Sequence, residues 1–145
     1  MDKNLENKNY KKNIESKDIL LSVIVPCFNE INTLRTVIER IMNSSIKEKE
    51  IIIVDDFSID GSREYLKNLI DNQIITKFHN CNMGKGAAIS TGIKNASGKI
   101  IIIQDADLEY DPDEYPNMIT PIIDNKADIV YGSRFKGGQP HRVVY

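Results

Sequence analysis

Four isoleucines, Ile100 to Ile103, run through Gln104 into Asp105, Asp107, Glu109 and Asp111, the densest acidic chemistry in the chain. A β-branched apolar run of this kind reads as a buried strand, so the carboxylates stand at a strand end. Residues two apart on an extended segment point the same way, and "DAD" then presents Asp105 and Asp107 to one point with the small Ala106 between them. Two carboxylates so placed repel unless a cation joins them. Hard divalent ions such as Mg²⁺ or Mn²⁺ take oxygen ligands and complete their shells with water and substrate phosphates. The spacing suits a metal-bridged diphosphate on Asp105 and Asp107, with Glu109 as a third oxygen donor. The competing reading is that these acids are turn and cap residues, where aspartate is common. It explains Asp111, which precedes Pro112, better than it explains all four.

"VDDFSIDGS", Val54 to Ser62, carries a second acidic strand end. Asp55 and Asp56 are either turn residues or, in the case of Asp56, an acceptor for a base or ribose edge beside a metal-held diphosphate. "NMGKGAA" fails as a P-loop because Lys85 is followed by Gly86 and no glycine stands five residues before Gly84. As G-x-G-x-x-G it has Ile89 at the third position and follows the third expected strand rather than the first, which disfavours a dinucleotide-dependent oxidoreductase. Lys85 is either a phosphate-neutralising cation or a surface lysine. No Ser/His/Asp or Cys/His set is evident. Cys27 reads as a small strand-end residue, and His79 and His141 stand alone and receive no role.

These side chains need a scaffold, and from Ile19 short β-branched runs alternate with longer amphipathic stretches, the βαβα signature. Strands are expected over Ile19–Phe28, ended by Pro26, then Lys49–Ser58, Ile74–His79, Lys99–Asp107 and Ala127–Phe135. A first helix over Glu30–Met42, capped by Asn29, turns Ile31, Leu34, Ile38, Ile41 and Met42 inward. A second, after Asp60-Gly61, buries Tyr65, Leu66, Leu69 and Ile70, and a third spans Gly84–Ala96. Asp111 as N-cap, Pro112 at the first position and Glu114 start a fourth helix that Pro116 and Pro121 shorten or kink. Nearly continuous apolar strands joined by helices imply a mainly parallel sheet covered on both faces. Ligands of such sheets sit at the carboxyl ends of the strands. The ends "PCFNE", "DDFSIDGS" and "QDADLEYD" should therefore share one crevice.

The 145 residues allow one domain, expected over 19–145 after a disordered polar lead at 1–18 that lacks the apolar core of a secretory signal. No apolar run approaches the roughly 20 residues that span a bilayer. A formal net charge of -2 gives no field for nucleic acid. Two distant cysteines argue against a zinc site or disulfide framework and for a reduced, cytoplasmic setting. The chain stops soon after "ADIVYGSRF" with no turn or cap to close it, so the catalytic unit is expected to be C-terminally incomplete.

The segments "LSVIVPCFNE", "IIIVDDFSIDGS", "NMGKGAAISTGIKNASG", "DADLEYDPDE" and "DIVYGSRF", in this order, resemble family 2 glycosyltransferases with the GT-A fold, a Rossmann-like sandwich. The likeness covers roughly residues 20 to 145 and is greatest to dolichol-phosphate mannosyltransferase-like and bacterial polyprenyl-phosphate glycosyltransferases. The resemblance implies inverting, metal-dependent transfer of a sugar from a nucleotide-diphosphate donor, GDP-mannose or UDP-glucose, to a polyprenyl or dolichyl phosphate. Pro26, Phe28 and Glu30 match the first donor-binding segment, with Phe28 where tyrosine is usual. Val54 and Asp56 match positions that hold the nucleoside, and Asp105, Ala106 and Asp107 match the D-x-D that holds Mg²⁺ or Mn²⁺ and the diphosphate. Glu109 stands where many relatives carry glutamine, and Arg134 matches a basic position near the donor, suited to phosphate. A cytoplasmic protein meeting the membrane surface through its acceptor is implied, with a non-catalytic nucleotide-sugar-binding fragment as the alternative.

Overall fold

The computed structural model describes residues 21–132. Four strands, β1 (Leu21–Cys27), β2 (Lys49–Asp55), β3 (Ile74–Phe78) and β4 (Ile100–Ile103), form one sheet in the order β3-β2-β1-β4, with every neighbouring pair parallel. The helices are α1 (Ile31–Asn43), α2 (Ser62–Lys67), α3 (Lys85–Asn95) and α4 (Tyr115–Ile123), the last preceded by a 3-10 turn over Pro112–Glu114. The expected parallel sheet and four helices are present, three of them connecting successive strands and α4 following β4, and the strand carboxyl ends all lie at one edge.

Strand alternation divides the core into two layers. On one face Leu21, Val23, Val25, Ile51 and Ile53 pack against Leu34, Val37, Ile38 and Ile41 of α1, Leu66 of α2, and Tyr115 and Ile119 of α4. On the other, Ile52 and Val54 meet Ala88 of α3. Each fully buried aliphatic side chain contributes roughly 1.5–3 kcal/mol relative to exposure. Small residues let α3 approach closely. A Cβ on Gly92 would stand 2.4 Å from Cγ2 of Ile24 on β1.

Pro26 lies inside β1, one residue before its end, rather than closing it. Ile24 O accepts from Gln104 N–H on the β4 side while Cys27 O accepts from Asp56 N–H on the β2 side. Alternation therefore turns the missing donor of Pro26 towards β4, whose pairing stops at Ile24. That is how a proline sits in an inner strand without breaking a ladder bond.

Several local expectations are corrected. Asn29 does not cap α1: its backbone is left-handed at φ 55, its N–H donates to Ser58 Oγ, and its Oδ1 accepts from Ile59 N–H. The first-turn Ile31 N–H is met instead by Asp60 Oδ2 across the β2 loop. Ile31, at the rim, stays 36% exposed, and Ile70 is 94% exposed because α2 ends at Lys67 and leaves it beyond the helix. In β4, Ile100 is buried but Ile101 and Ile103 are exposed, since α3 lies over β1 and β2. The expected fifth strand is not formed over residues 127–132, where Ile129 and Tyr131 are exposed and no described strand pairs with them. The rest of that strand, the polar lead and Arg134 lie outside the described residues.

The fourth helix starts as its sequence indicates. Asp111 caps the 3-10 turn by accepting from Asp113 N–H, although Glu114 accepts from the Asn117 side chain rather than reaching back. Pro121 lies inside α4, which is only nine residues long.

Candidate functional site

The three chemically rich strand ends meet in one cleft of ≈ 400 Å³. Pro26, Phe28 and Glu30 line it from the end of β1, Asp56 from β2, Lys85 from the start of α3, and Asp105, Ala106 and Asp107 from the end of β4. Eight of the residues singled out from sequence are thus brought together. Asn82 and Ala88 join them unanticipated, since their types carried no chemical signal, together with Cys27 and Gly84, to which the sequence had assigned no site role. A second concavity of ≈ 530 Å³, between α1 and the 3-10 turn, contains no strand end and none of those residues.

The acidic turn differs from its expected form. β4 stops at Ile103, and Asp105, Ala106 and Asp107 belong to the loop that follows, with Leu108 left-handed at φ 67. Shared strand direction therefore does not aim the two carboxylates; tertiary hydrogen bonds hold their loop. The α1 hydroxyl of Thr33 donates to Ala106 O at 2.5 Å. Buried Gln104 donates through Nε2 to Asp105 O and Tyr110 O and accepts from the Tyr115 hydroxyl at 2.8 Å. Burial, with Asp111 nearby, pushes that phenol up, so it remains a donor. Asp107 Oδ1 accepts from Glu109 N–H, while Glu109 itself does not line the cleft.

Lys85 Nζ lies 2.7 Å from Asp105 Oδ1 and 2.8 Å from Oδ2. Among the described residues, four carboxylates, Glu30, Asp56, Asp105 and Asp107, and one lysine line the cleft. Among the described residues no three His, Cys, Asp or Glu side chains are grouped to hold a metal unaided. The oxygens of Asp105 and Asp107 are nevertheless of the donor type that hard cations take, with water and phosphate oxygens completing the shell.

The adjacent aspartates Asp55 and Asp56 have separate roles because successive strand residues point to opposite faces. Asp55, fully buried, pairs with Arg63 at 2.9 Å and accepts from Ser58 N–H, a structural use. Arg63 is flanked by the rings of Phe57 and Phe78 at 5.6 and 5.2 Å. Asp56 turns towards α3, where its carboxylate accepts from Met83 N–H, Gly84 N–H and the His79 ring. Burial alone would push its carboxyl up, but the bonds from Met83, His79 and Gly84 outweigh it and hold it below the ordinary aspartate value. Gly84, at φ 90 and ψ 160, adopts a backbone conformation that only glycine occupies readily.

Val54 does not line the cleft; its side chain packs in the core with Ile52 and Ala88. Burial, with Asp55 beside it, pushes the Cys27 thiol up to about 12, so it stays protonated and is no nucleophile at neutral pH.

The Glycosyl transferase family 2 model matches residues 22–143. An undecaprenyl-phosphate 4-deoxy-4-formamido-L-arabinose transferase of Proteus mirabilis is 37% identical over 105 residues, covering 68% of this chain and 32% of the relative. A dolichol-phosphate mannosyltransferase of Pyrococcus furiosus is 35% identical over 122 residues, covering 82% of this chain and 34% of the relative. The chain spans about a third of the length of these curated relatives. Among solved structures, S. aureus TarS 1-349 in complex with UDP-GlcNAc superposes with a TM-score of 0.63 at 22% identity, over 74% of this chain and 32% of that one. The Pyrobaculum calidifontis mannosyltransferase PcManGT, in complex with GDP-Man and Mn²⁺, does so with a TM-score of 0.56 at 24% identity, over 71% and 33%. These likenesses establish the GT-A fold.

Proposed function

The chain belongs to glycosyl transferase family 2, and from that premise we propose that it moves a sugar from a nucleotide-diphosphate donor to a polyprenyl phosphate. The carrying observation is the convergence of a base-type acceptor, Asp56, and a diphosphate-type acidic pair, Asp105 and Asp107, in one cleft at the strand carboxyl ends. The acceptor class rests on the relatives, which are named as undecaprenyl-phosphate and dolichol-phosphate transferases. No helix among the described residues is long and apolar enough to cross a membrane. In the proposed setting a cytoplasmic protein meets the membrane face through its lipid acceptor.

In this reading Asp56 accepts a base N–H, and half-exposed Phe28 at the rim offers a face on which the base stacks. Pro26, Glu30 and Ala106 shape the donor pocket, while the backbone at Val54 sets the level of Asp56. Asp105 and Asp107 would hold Mg²⁺ or Mn²⁺ against the diphosphate, and Glu109, which stands outside the cleft lining, is not retained as a third ligand. Such a cation supplies Lewis-acid stabilisation of the charge that grows on the departing nucleoside diphosphate. Lys85 exchanges Asp105 for a phosphate oxygen when the donor enters, and the family resemblance alone assigns Arg134, which lies outside the described residues, to phosphate binding. A polyprenyl phosphate is already anionic near neutral pH, so its oxygen attacks the anomeric carbon from the face opposite the leaving group without a strong general base. Inversion follows from that single displacement.

Calorimetric titration of the chain with GDP-mannose and with UDP-glucose, each with Mn²⁺ or Mg²⁺ and again with chelator, tests the reading. Metal-dependent binding of one donor is expected. Binding that survives chelation would remove the metal, and no binding to either would overturn the donor assignment for this chain. Binding without transfer to a polyprenyl phosphate would favour a non-catalytic nucleotide-sugar binder.

A further inference from the structure

His79 stands outside the cleft, yet its contacts decide what the cleft presents to a base. It follows β3 directly, with its backbone fixed on both sides: its N–H donates to Asp55 O at 2.9 Å and its carbonyl accepts from Arg63 at 2.9 Å. The ring is 8% exposed at the residue level and engaged at both nitrogens, Nδ1 lying 2.7 Å from Asp56 Oδ1 and Nε2 2.9 Å from Thr91 Oγ1 on α3. An ionised carboxylate only accepts, so Nδ1 carries the proton, and in the neutral ring Nε2 accepts from the Thr91 hydroxyl.

Asp56 can then be accounted for oxygen by oxygen. Oδ1 receives two bonds, from the His79 ring and from Met83 N–H at 2.9 Å. Oδ2 receives one, from Gly84 N–H at 2.7 Å. A carboxylate oxygen accepts about two hydrogen bonds. Oδ1 is thereby saturated, and Oδ2 keeps one accepting position on the residue that lines the cleft.

We propose that His79 is a positioning residue for nucleobase recognition: by saturating Oδ1 it fixes the Asp56 carboxylate so that Oδ2 offers one acceptor to a base carrying a ring N–H. Uracil and guanine carry such a group; cytosine and adenine have an acceptor at the corresponding ring nitrogen and are disfavoured. Without His79, Met83 N–H and Gly84 N–H still hold the carboxylate, but Oδ1 gains a free lone pair that competes with Oδ2, which weakens reading of the base while leaving the diphosphate end untouched. The inference rests on the nucleotide-sugar reading of the cleft.

The test titrates the full chain and its His79→Ala, His79→Asn and His79→Gln variants with UDP, GDP, CDP, ADP and, as a base-free probe, pyrophosphate, all with Mn²⁺. The wild type should prefer UDP or GDP over CDP and ADP. His79→Ala should lose about tenfold in affinity for the preferred nucleotide, the scale of one charge-assisted hydrogen bond, with pyrophosphate binding unchanged. An asparagine amide N–H falls near the place of Nδ1, so His79→Asn should return to within about threefold of wild type. A glutamine amide reaches the Thr91 side instead and should not rescue. Equal nucleotide affinity in His79→Ala, a matching loss for pyrophosphate, or a folded His79→Asn as weak as the alanine variant would each overturn the proposal. A wild type that binds pyrophosphate but no nucleotide would instead sink the nucleotide-sugar reading, and this inference with it.

Discussion

At the scale of single residues, chemistry was legible wherever type and spacing coincided, and hidden wherever a partner came from afar. Asp105, Asp107 and Asp56 announced themselves as acids at strand ends, and all three line the cleft. His79 did not, because a lone histidine has no local signature; only its contacts with Asp56 and Thr91 give it a task. The proposed metal role of Asp107 makes a sharp prediction. Asp107→Asn keeps an oxygen that can still accept from Glu109 N–H, so the loop should hold and the circular dichroism spectrum should not change. It removes a charged oxygen ligand, so Mn²⁺-dependent donor affinity should fall by at least about tenfold, or about 1.4 kcal/mol. Undiminished affinity in a folded variant would contradict the assignment.

At the scale of elements, apolar periodicity located β1, β2, β3, β4 and the helices, while their ends went astray by a few residues. Ends depend on caps, and the cap of α1 illustrates the difficulty: Asn29 looked local and adequate, but Asp60 from another loop meets Ile31 N–H. The contact of α3 with β1 yields the element-level prediction. Gly92→Ala would drive a Cβ to 2.4 Å from Ile24 Cγ2, and overpacking of this kind costs about 1–3 kcal/mol. Gly86, on the same helix, has open space where a Cβ would stand, with no heavy atom within 4 Å, so Gly86→Ala should instead stabilise by about 0.5–1 kcal/mol through helix propensity. Urea denaturation of both variants decides it; equal midpoints would mean that α3 does not rest on β1 as closely as described.

At the scale of the whole molecule, three carboxylates act as cross-links between segments. Glu50 accepts from Ser22 on β1 and from Ser97 and Gly98 before β4. Asp60 joins the β2 loop to α1 and to Ser62, and Asp56 joins β2 to the α3 loop. In each, burial pushes the carboxyl up but the hydrogen bonds prevail and leave it below its ordinary value. A carboxyl depressed by folding binds fewer protons in the native than in the unfolded state, so its stabilisation is present above the unfolded value and is lost as pH falls through the folded one. The melting temperature should therefore hold near neutrality and drop below about pH 4, where unfolded Asp and Glu take up protons. Glu50→Gln should flatten part of that drop. A melting temperature that rises on acidification would refute the linkage.

Burial period and residue type, which are local properties, were enough to read from the sequence an alternating α/β chain, a parallel sheet and acidic chemistry at its strand ends. They were also enough for the family resemblance, since its motifs are contiguous. The tertiary structure alone decided that Asp55 pairs with Arg63 while His79, Met83 and Gly84 hold Asp56, that "DAD" sits in a turn, and that residues 127–132 form no strand. The physical reason is the reach of the bonds involved. Thr33 holds Ala106 across 73 residues and Met83 holds Asp56 across 27, and hydrogen bonds between distant loops leave no periodic trace in the segments they join.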